Sequence, residues 1–199
     1  MENKKKLKTD SNTVENFNRS AIAGVLIGFG VIINTITSSP VLGAALFSFG
    51  LLAIIQLQIP LYTGRIGFLI NKERQAYFMI FFANCFAILV TIAFYIIATP
   101  GFEELLINAA TLKFSKSFDA MFIYGCFCGF LIHIAVKCKT PIITIGAIMI
   151  FILIGSEHCI ADFPYVYVMH TWSAWLKWIL VIIGNSIGAM FAEGMLTDE

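Results

Sequence analysis

Charge is what this 199-residue sequence has least of: Asp, Glu, Lys and Arg together make up 13% of it. Soluble domains carry roughly a quarter. With 59% hydrophobic residues and a mean hydropathy of +0.86, that deficit excludes an ordinary water-soluble globular fold. An excess of either sign is missing too, since 13 Lys and Arg face 12 Asp and Glu. No basic field therefore argues for nucleic acid. The five cysteines contain no C-x-x-C pair, and Cys126 and Cys128 leave a helix on different sides, so they read as buried structural thiols. The three histidines, His133, His158 and His170, stand neither at metal-ligand spacing nor in a nucleophile–base pattern. That argues against zinc and against a membrane enzyme, and no cofactor is expected.

Long apolar runs are what the sequence has instead. They cover residues 20–37, 41–70, 75–98, 119–136, 140–169 and 173–195. A membrane-spanning helix needs about 20 apolar residues. Four of the runs fit that length. The second and fifth are too long for one straight span and are interrupted. The second holds Gln56, Gln58, Pro60, Thr63, Gly64 and Arg65; the fifth holds Ser156, Glu157, His158, Asp162 and Pro164. Proline removes a backbone donor and breaks a helix. Broken backbone at membrane depth is tolerated only where it is buried in protein or lines a water-filled cavity. A site is therefore expected where these two helices break.

Residues 1–18 are polar and basic, and Thr9, Asp10, Ser11 and Asn12 separate the lysines from the first apolar run. A signal peptide would pass directly into its apolar region. The expectation is a loosely ordered cytoplasmic tail over 1–18 and one transmembrane domain over 19–199. With the N-terminus inside, Lys4, Lys5, Lys6, Lys8, Arg19, Arg65, Lys72, Arg74, Lys137 and Lys139 fall on the cytoplasmic side. Only Lys113, Lys116 and Lys177 fall outside. The positive-inside rule then places both termini in the cytoplasm of a multi-pass protein of the cell membrane. Trp172, Trp175 and Trp178 read as an interfacial belt.

The chain also repeats. Gly24 and Gly125, Gly28 and Gly129, Pro40 and Pro141, and Asn84 and Asn185 are each 101 residues apart. Thr63 and His158, near the two break centres, are 95 apart, so the register drifts there. Each half, about 19–98 and 119–195, has three spans. An odd number forces the second half to be inverted relative to the first, with a site at the midplane between them. The predicted fold class is an all-α polytopic membrane protein. It has six transmembrane helices in two inverted three-helix repeats, with helices 2 and 5 broken. The small faces Gly24/Gly28 and Gly184/Gly188 permit close helix packing and are expected at subunit contacts.

Four residues carry candidate chemistry. Thr63, just after Pro60, either offers its hydroxyl to an anion in transit or caps the second half-helix. His158 is the histidine at a helix break; with an ordinary pKa of about 6.5 it can exchange a proton or hold an anion, and the competing reading is a satisfied core histidine. Glu157 reads as a cap for freed backbone amides. Lys113, on the outer connection, reads from its residues alone as a solvated or snorkelling lysine.

At these motifs the sequence resembles the formate/nitrite transporter family over about residues 17–195. Gly155-Ser156-Glu157-His158-Cys159-Ile160-Ala161-Asp162 is similar to the family's G-F-E-H-S-x-A-N on the broken fifth helix. Leu61-Tyr62-Thr63-Gly64 is similar to its L-F-T-G, Gly184-Asn185-Ser186-Ile187-Gly188 to its G-N-x-x-G, and Phe82-Ala83-Asn84 to its third-helix pattern. Gly125-Cys126-Phe127-Cys128 resembles its G-I-L-C. The resemblance implies a homopentamer in the lipid bilayer, with an aquaporin-like subunit and one pore per subunit. It implies a small monovalent anion as substrate: formate, nitrite, hydrosulfide or a short carboxylate. His158 would be the central pore histidine, Thr63 its partner, and Lys113 the vestibule lysine. Phe47, Leu51 and Phe151 would stand at constrictions, with Leu61 and Tyr62 flanking the passage. Asn84 and Asn185 would be structural.

The chain departs from the family pattern at four places. Cys128-Gly129 stands for C-N, so Gly129 takes a position that normally presents an amide to the passage; its pairing with Gly28 gives close helix packing as the second reading. Pro60 stands for Glu, Tyr62 for Phe and Asp162 for Asn. Two permeation routes remain open. In one, the anion takes a proton near His158 and crosses as the neutral acid, which avoids the penalty of an isolated charge in a low dielectric. In the other, half-helix amides compensate the charge directly. A non-conducting interaction subunit is the rival function. An aquaporin-like solute channel is disfavoured because no Asn-Pro dipeptide occurs.

Overall fold

A computed structural model describes residues 2–68 and 74–197. Lys72 and the end of the second apolar run lie outside the described residues, as do the side chains of Lys4, Lys5, Lys6, Lys8 and Arg74. Helix dominates, and no strand occurs among the described residues. In order the helices are α1 (Glu2–Ile36), α2 (Pro40–Gln56), α3 (Tyr62–Arg65), α4 (Arg74–Ala98), α5 (Phe102–Phe114), α6 (Phe118–Cys138), α7 (Pro141–Leu153), α8 (Cys159–Met169) and α9 (Trp172–Leu196). A 3₁₀ turn, Ile66–Phe68, extends α3. Within α1, α4, α6 and α9 lie four stretches long and apolar enough to cross a membrane. The expected loose tail is not separate: α1 runs unbroken from Glu2.

Both interrupted runs break as the sequence predicts, and both close in the same way. Proline occupies the first turn of α2 (Pro40) and of α7 (Pro141), where its missing N–H is no loss. At the end of α2, Gln58 N–H donates to Ile55 C=O and Ile59 N–H to Ile54 C=O, at 3.1 and 2.9 Å. At the end of α7, Gly155 N–H donates to Ile152 C=O and Ser156 N–H to Phe151 C=O, at 3.0 and 2.9 Å. This is a Schellman stop, with the left-handed position filled by Gln58 (φ 53°) in one half and Gly155 (φ 75°) in the other. The fifth run therefore breaks at Gly155. Pro164 lies inside α8 and does not make the break.

Two helix crossings organise the rest. In α1 against α4, Gly24 lies on the backbone of Asn84 and Gly28 on Thr91. In α6 against α9, Gly125 lies on Val181, Gly129 on Asn185, Gly184 on Phe122 and Gly188 on Cys126. A Cβ at Gly129 or Gly188 would collide with a facing carbonyl, so the absent side chain is what lets these backbones meet. The small faces expected between subunits are thus consumed within the chain.

The exterior is apolar, and the mainly apolar interior also holds a set of polar groups. Asn84, Asn185, His133, Thr63 and Glu157 are fully buried, while Phe78, Ile97 and Trp172 are 80%, 79% and 85% exposed. An apolar exterior around a mainly apolar interior that shelters a few paired polar groups is the arrangement a lipid solvent selects. The tryptophan belt is corrected in part. Trp172 is exposed, but Trp178 is buried and donates its indole N–H to Cys159 C=O at 2.7 Å. Cys85, Cys128 and Cys159 are buried free thiols, whereas Cys138 is exposed.

Candidate functional site

The two short helices after the breaks, α3 and α8, meet at the centre. Asn84 on α4 holds the first. Its Oδ1 accepts from Tyr62 N–H at 3.0 Å, and its Nδ2 donates to Pro60 C=O at 3.3 Å and Ser20 C=O at 2.7 Å. Asn185 on α9 holds the second in the same manner. Its Oδ1 accepts from Cys159 N–H at 2.9 Å, and its Nδ2 donates to Glu157 C=O at 2.8 Å and Gly125 C=O at 2.9 Å. Each amide fills one orphan donor and one orphan acceptor of a broken helix buried away from water.

These bonds reset the register between the halves. Tyr62 and Cys159 are the first helical residues after their breaks, so His158 corresponds to Leu61, at a spacing of 97. The step from 101 to 97 comes from α7, which has 13 residues where α2 has 17, a difference of about one turn; the four residues are regained before Asn84 and Asn185, which are again 101 apart. Thr63 is therefore not the counterpart of His158 but its partner across the halves. Thr63 Oγ1 and His158 Nε2 lie 2.9 Å apart, both buried.

The tautomer follows from the other ring nitrogen. His158 Nδ1 accepts from Ala161 N–H at 3.0 Å, as the N-cap of α8. A nitrogen that accepts carries no proton, so the neutral ring holds its proton on Nε2 and donates it to Thr63 Oγ1. The imidazole serves both as the cap and as the polar group at the break, so the two readings of His158 are not exclusive. Leu61 offers α3 no side-chain cap, so the same position is polar in one half and apolar in the other.

A cavity lies on either side of the pair. One, about 200 Å³, is lined by Phe47, Phe151, His158, Lys113, Asp162 and Ser156 among others. The other, about 300 Å³, is lined by Leu51, Leu61, Gly64, Arg65 and Lys139 among others. Phe47 and Phe151 meet edge to face at 6.3 Å, and Phe151 stacks on the His158 ring at 6.3 Å. Phe47, Leu51, Leu61 and Phe151 are all nearly inaccessible, so apolar side chains separate the two spaces.

The formate/nitrite transporter model matches residues 1–197. The chain belongs to the formate/nitrite transporter family. It is accordingly a helical membrane protein. Among solved structures, a pentameric formate channel with formate bound matches at TM-score 0.78 and 19% identity, over 93% of this chain and 96% of that one. An FNT family ion channel matches at TM-score 0.79 and 17% identity, over 94% and 90%. At those identities the likeness is one of fold. The sequence has no significant match among the curated proteins.

Several residues marked by the family pattern stand elsewhere than expected. Glu157 does not cap amides: its carboxylate binds Lys113, and Lys116 at 2.5 Å. Lys113 also reaches Asp162 Oδ1 at 3.0 Å. Two lysines and two carboxylates thus form one cluster, and Lys113 is not a free positive charge. On α5, outside the spans, burial works against the charge of its amine; Asp162 and Glu157 outweigh burial and hold its pKa above the ordinary lysine value. Tyr62 lines neither cavity; its hydroxyl pairs with Ser186 Oγ at 3.1 Å and its ring packs on Phe81. Gly129 lines neither cavity and realises the packing reading. Lys116 and Ser156 were not singled out from sequence. Ser156 had a signal in its position beside Glu157; Lys116 had none.

Proposed function

We propose that the protein is a channel for small monovalent anions of weak acids, with permeation linked to a proton near His158. The observation that carries this reading is the buried Thr63–His158 pair between two cavities and beside four apolar constriction residues. An unpaired charge crossing that apolar zone would meet a large desolvation penalty, so loss of the charge by protonation is the cheaper route. Thr63, with its oxygen engaged by Nε2–H, has its own hydroxyl proton free to offer to a passing oxygen or sulfur.

The matched bonds of Asn84 and Asn185, and the matched stops of α2 and α7, support six spans in two inverted halves. In this arrangement α2 and α3 form one broken span, and α7 and α8 the other, in an aquaporin-like subunit. The solved relative described as a pentameric formate channel supports a homopentamer and a substrate of the formate class. The exposed apolar faces then meet lipid or a neighbouring subunit, with both termini on the cytoplasmic side by the lysine and arginine distribution.

The test is uptake of formate, nitrite, hydrosulfide, lactate and acetate by liposomes holding the purified protein, measured against pH with empty liposomes as control. Uptake of at least one, with proton movement in step, is the expected result. No uptake at any pH favours a non-conducting interaction subunit.

A further inference from the structure

We propose that the groove between α4 and α8 holds a phospholipid whose headgroup carries both a phosphate and a primary ammonium, as in phosphatidylethanolamine. The groove has a volume of about 330 Å³ and shares no lining residue with the two cavities on either side of the Thr63–His158 pair. Val90, Ile92 and Ile96 on α4 and Pro164 and Val168 on α8 make its walls apolar. Its polar side chains, Glu103, Tyr167 and His170, lie where α4 and α8 stop and α5 begins. Helix α8 ends there because His170, its C-cap, takes a left-handed backbone with φ 46°. From Leu89, the first lining residue on α4, to the end of that helix at Ala98 the rise is about 13 Å. One leaflet supplies about 15 Å of hydrocarbon. An apolar slot of that depth, polar only at its mouth, has the pattern of an amphiphile with its chain below and its headgroup above.

The mouth sets the headgroup. Glu103 and His170 are both exposed there. A carboxylate only accepts, and an imidazole presents an N–H in either tautomer. An ammonium therefore meets Glu103, and the phosphate beside it accepts from His170. Tyr167, whose ring centre lies 5.2 Å from that of His170, gives the ammonium an aromatic neighbour. Anionic lipids are drawn to basic pockets, and the acid at this mouth works against one. A choline headgroup has no N–H to give Glu103. A second copy of the chain is the competing occupant. In the same orientation it brings Lys113, Lys116 and Lys177 to this end, and all three are engaged. Lys113 and Lys116 bind Glu157, and Lys177, 8% exposed, donates to Phe114 C=O at 2.7 Å. An aminophospholipid supplies the cation that those lysines do not. The groove needs only a bilayer around the chain, whatever the chain conducts.

The test uses the full chain, stripped of lipid in detergent and titrated with dioleoyl phosphatidylethanolamine, phosphatidylcholine or phosphatidylglycerol. Native mass spectrometry counts the lipids bound. Wild type should half-saturate with phosphatidylethanolamine at a concentration about fivefold below that of either other lipid. Glu103→Gln should raise that concentration about fivefold and leave phosphatidylcholine binding as it was. Val168→Trp fills the slot and should weaken binding of all three lipids at least fivefold in an assembly of unchanged mass. A wild-type protein with no preference for phosphatidylethanolamine would overturn the proposal. So would a Glu103→Gln protein that keeps the preference. A Val168→Trp protein that binds lipid as before but falls into smaller assemblies would give the groove to a neighbouring copy and overturn it as well. If Val168→Trp does not fold, the Glu103→Gln comparison decides alone, since that side chain is exposed.

Discussion

Replacing Asn185 by Leu keeps the approximate volume and removes three hydrogen bonds. The Gly125 carbonyl retains its intrahelical partner on α6, so its loss is small. Cys159 N–H and Glu157 C=O have no such reserve, because they flank the first turn of α8 and are buried. Each stranded group costs about 1–3 kcal/mol, so the substitution should destabilise by about 2–6 kcal/mol. The cost falls on the peptide units either side of His158, so the position of its ring shifts as well. The assay is thermal unfolding in detergent, paired with anion flux on the same preparation. Asn84→Leu strands Tyr62 N–H and Pro60 C=O and should behave alike in unfolding. An Asn185→Leu protein with wild-type melting and wild-type flux would refute the role assigned to both amides.

Gly129→Ala should lower stability by about 1–3 kcal/mol, read from the melting midpoint, because its Cβ would overlap the Asn185 backbone; unaltered flux per assembled channel accompanies it. Gln58→Gly should raise stability by about 1 kcal/mol in the same assay, since a left-handed position ceases to carry a side chain. Lys113→Met should destabilise by about 3 kcal/mol by leaving Asp162 without its lysine, and a Lys113→Met/Asp162→Asn double variant should recover most of the loss in chemical unfolding.

The skeleton of this fold was readable because it rests on local rules. Pro40 and Pro141 opened helices where expected, and the polar residues after Ile55 and Ile154 marked both breaks. Asn84 and Asn185 stood out as a pair, since a buried amide at one spacing in two apolar helices has little reason to be there except to serve backbone. The site was less readable because its contacts are not local. Glu157 meets Lys113 and Lys116 from more than forty positions away, so a residue that looks like a cap in its own segment is an ion-pair partner in space. Thr63 and His158 looked like counterparts because each follows a break. Only the amide bonds reveal that Leu61 is the true counterpart. Gly129 and Tyr62 were drawn toward the passage by motif position, while their environment placed them in helix packing and on Ser186. Trp178 resembled its exposed neighbour Trp172 by residue type alone, and its indole N–H found a buried carbonyl instead.

The central claim is that the His158–Thr63 pair couples anion passage to a proton. The most direct measurement is simultaneous anion and proton flux through His158→Asn in liposomes. Asparagine keeps an acceptor for Ala161 N–H, so α8 stays capped and the assembly should melt as wild type does. It cannot take up a proton in the working pH range. The account predicts intact assembly with proton-linked flux lost or reduced at least tenfold. Wild-type anion flux with wild-type proton movement in the same variant would contradict it.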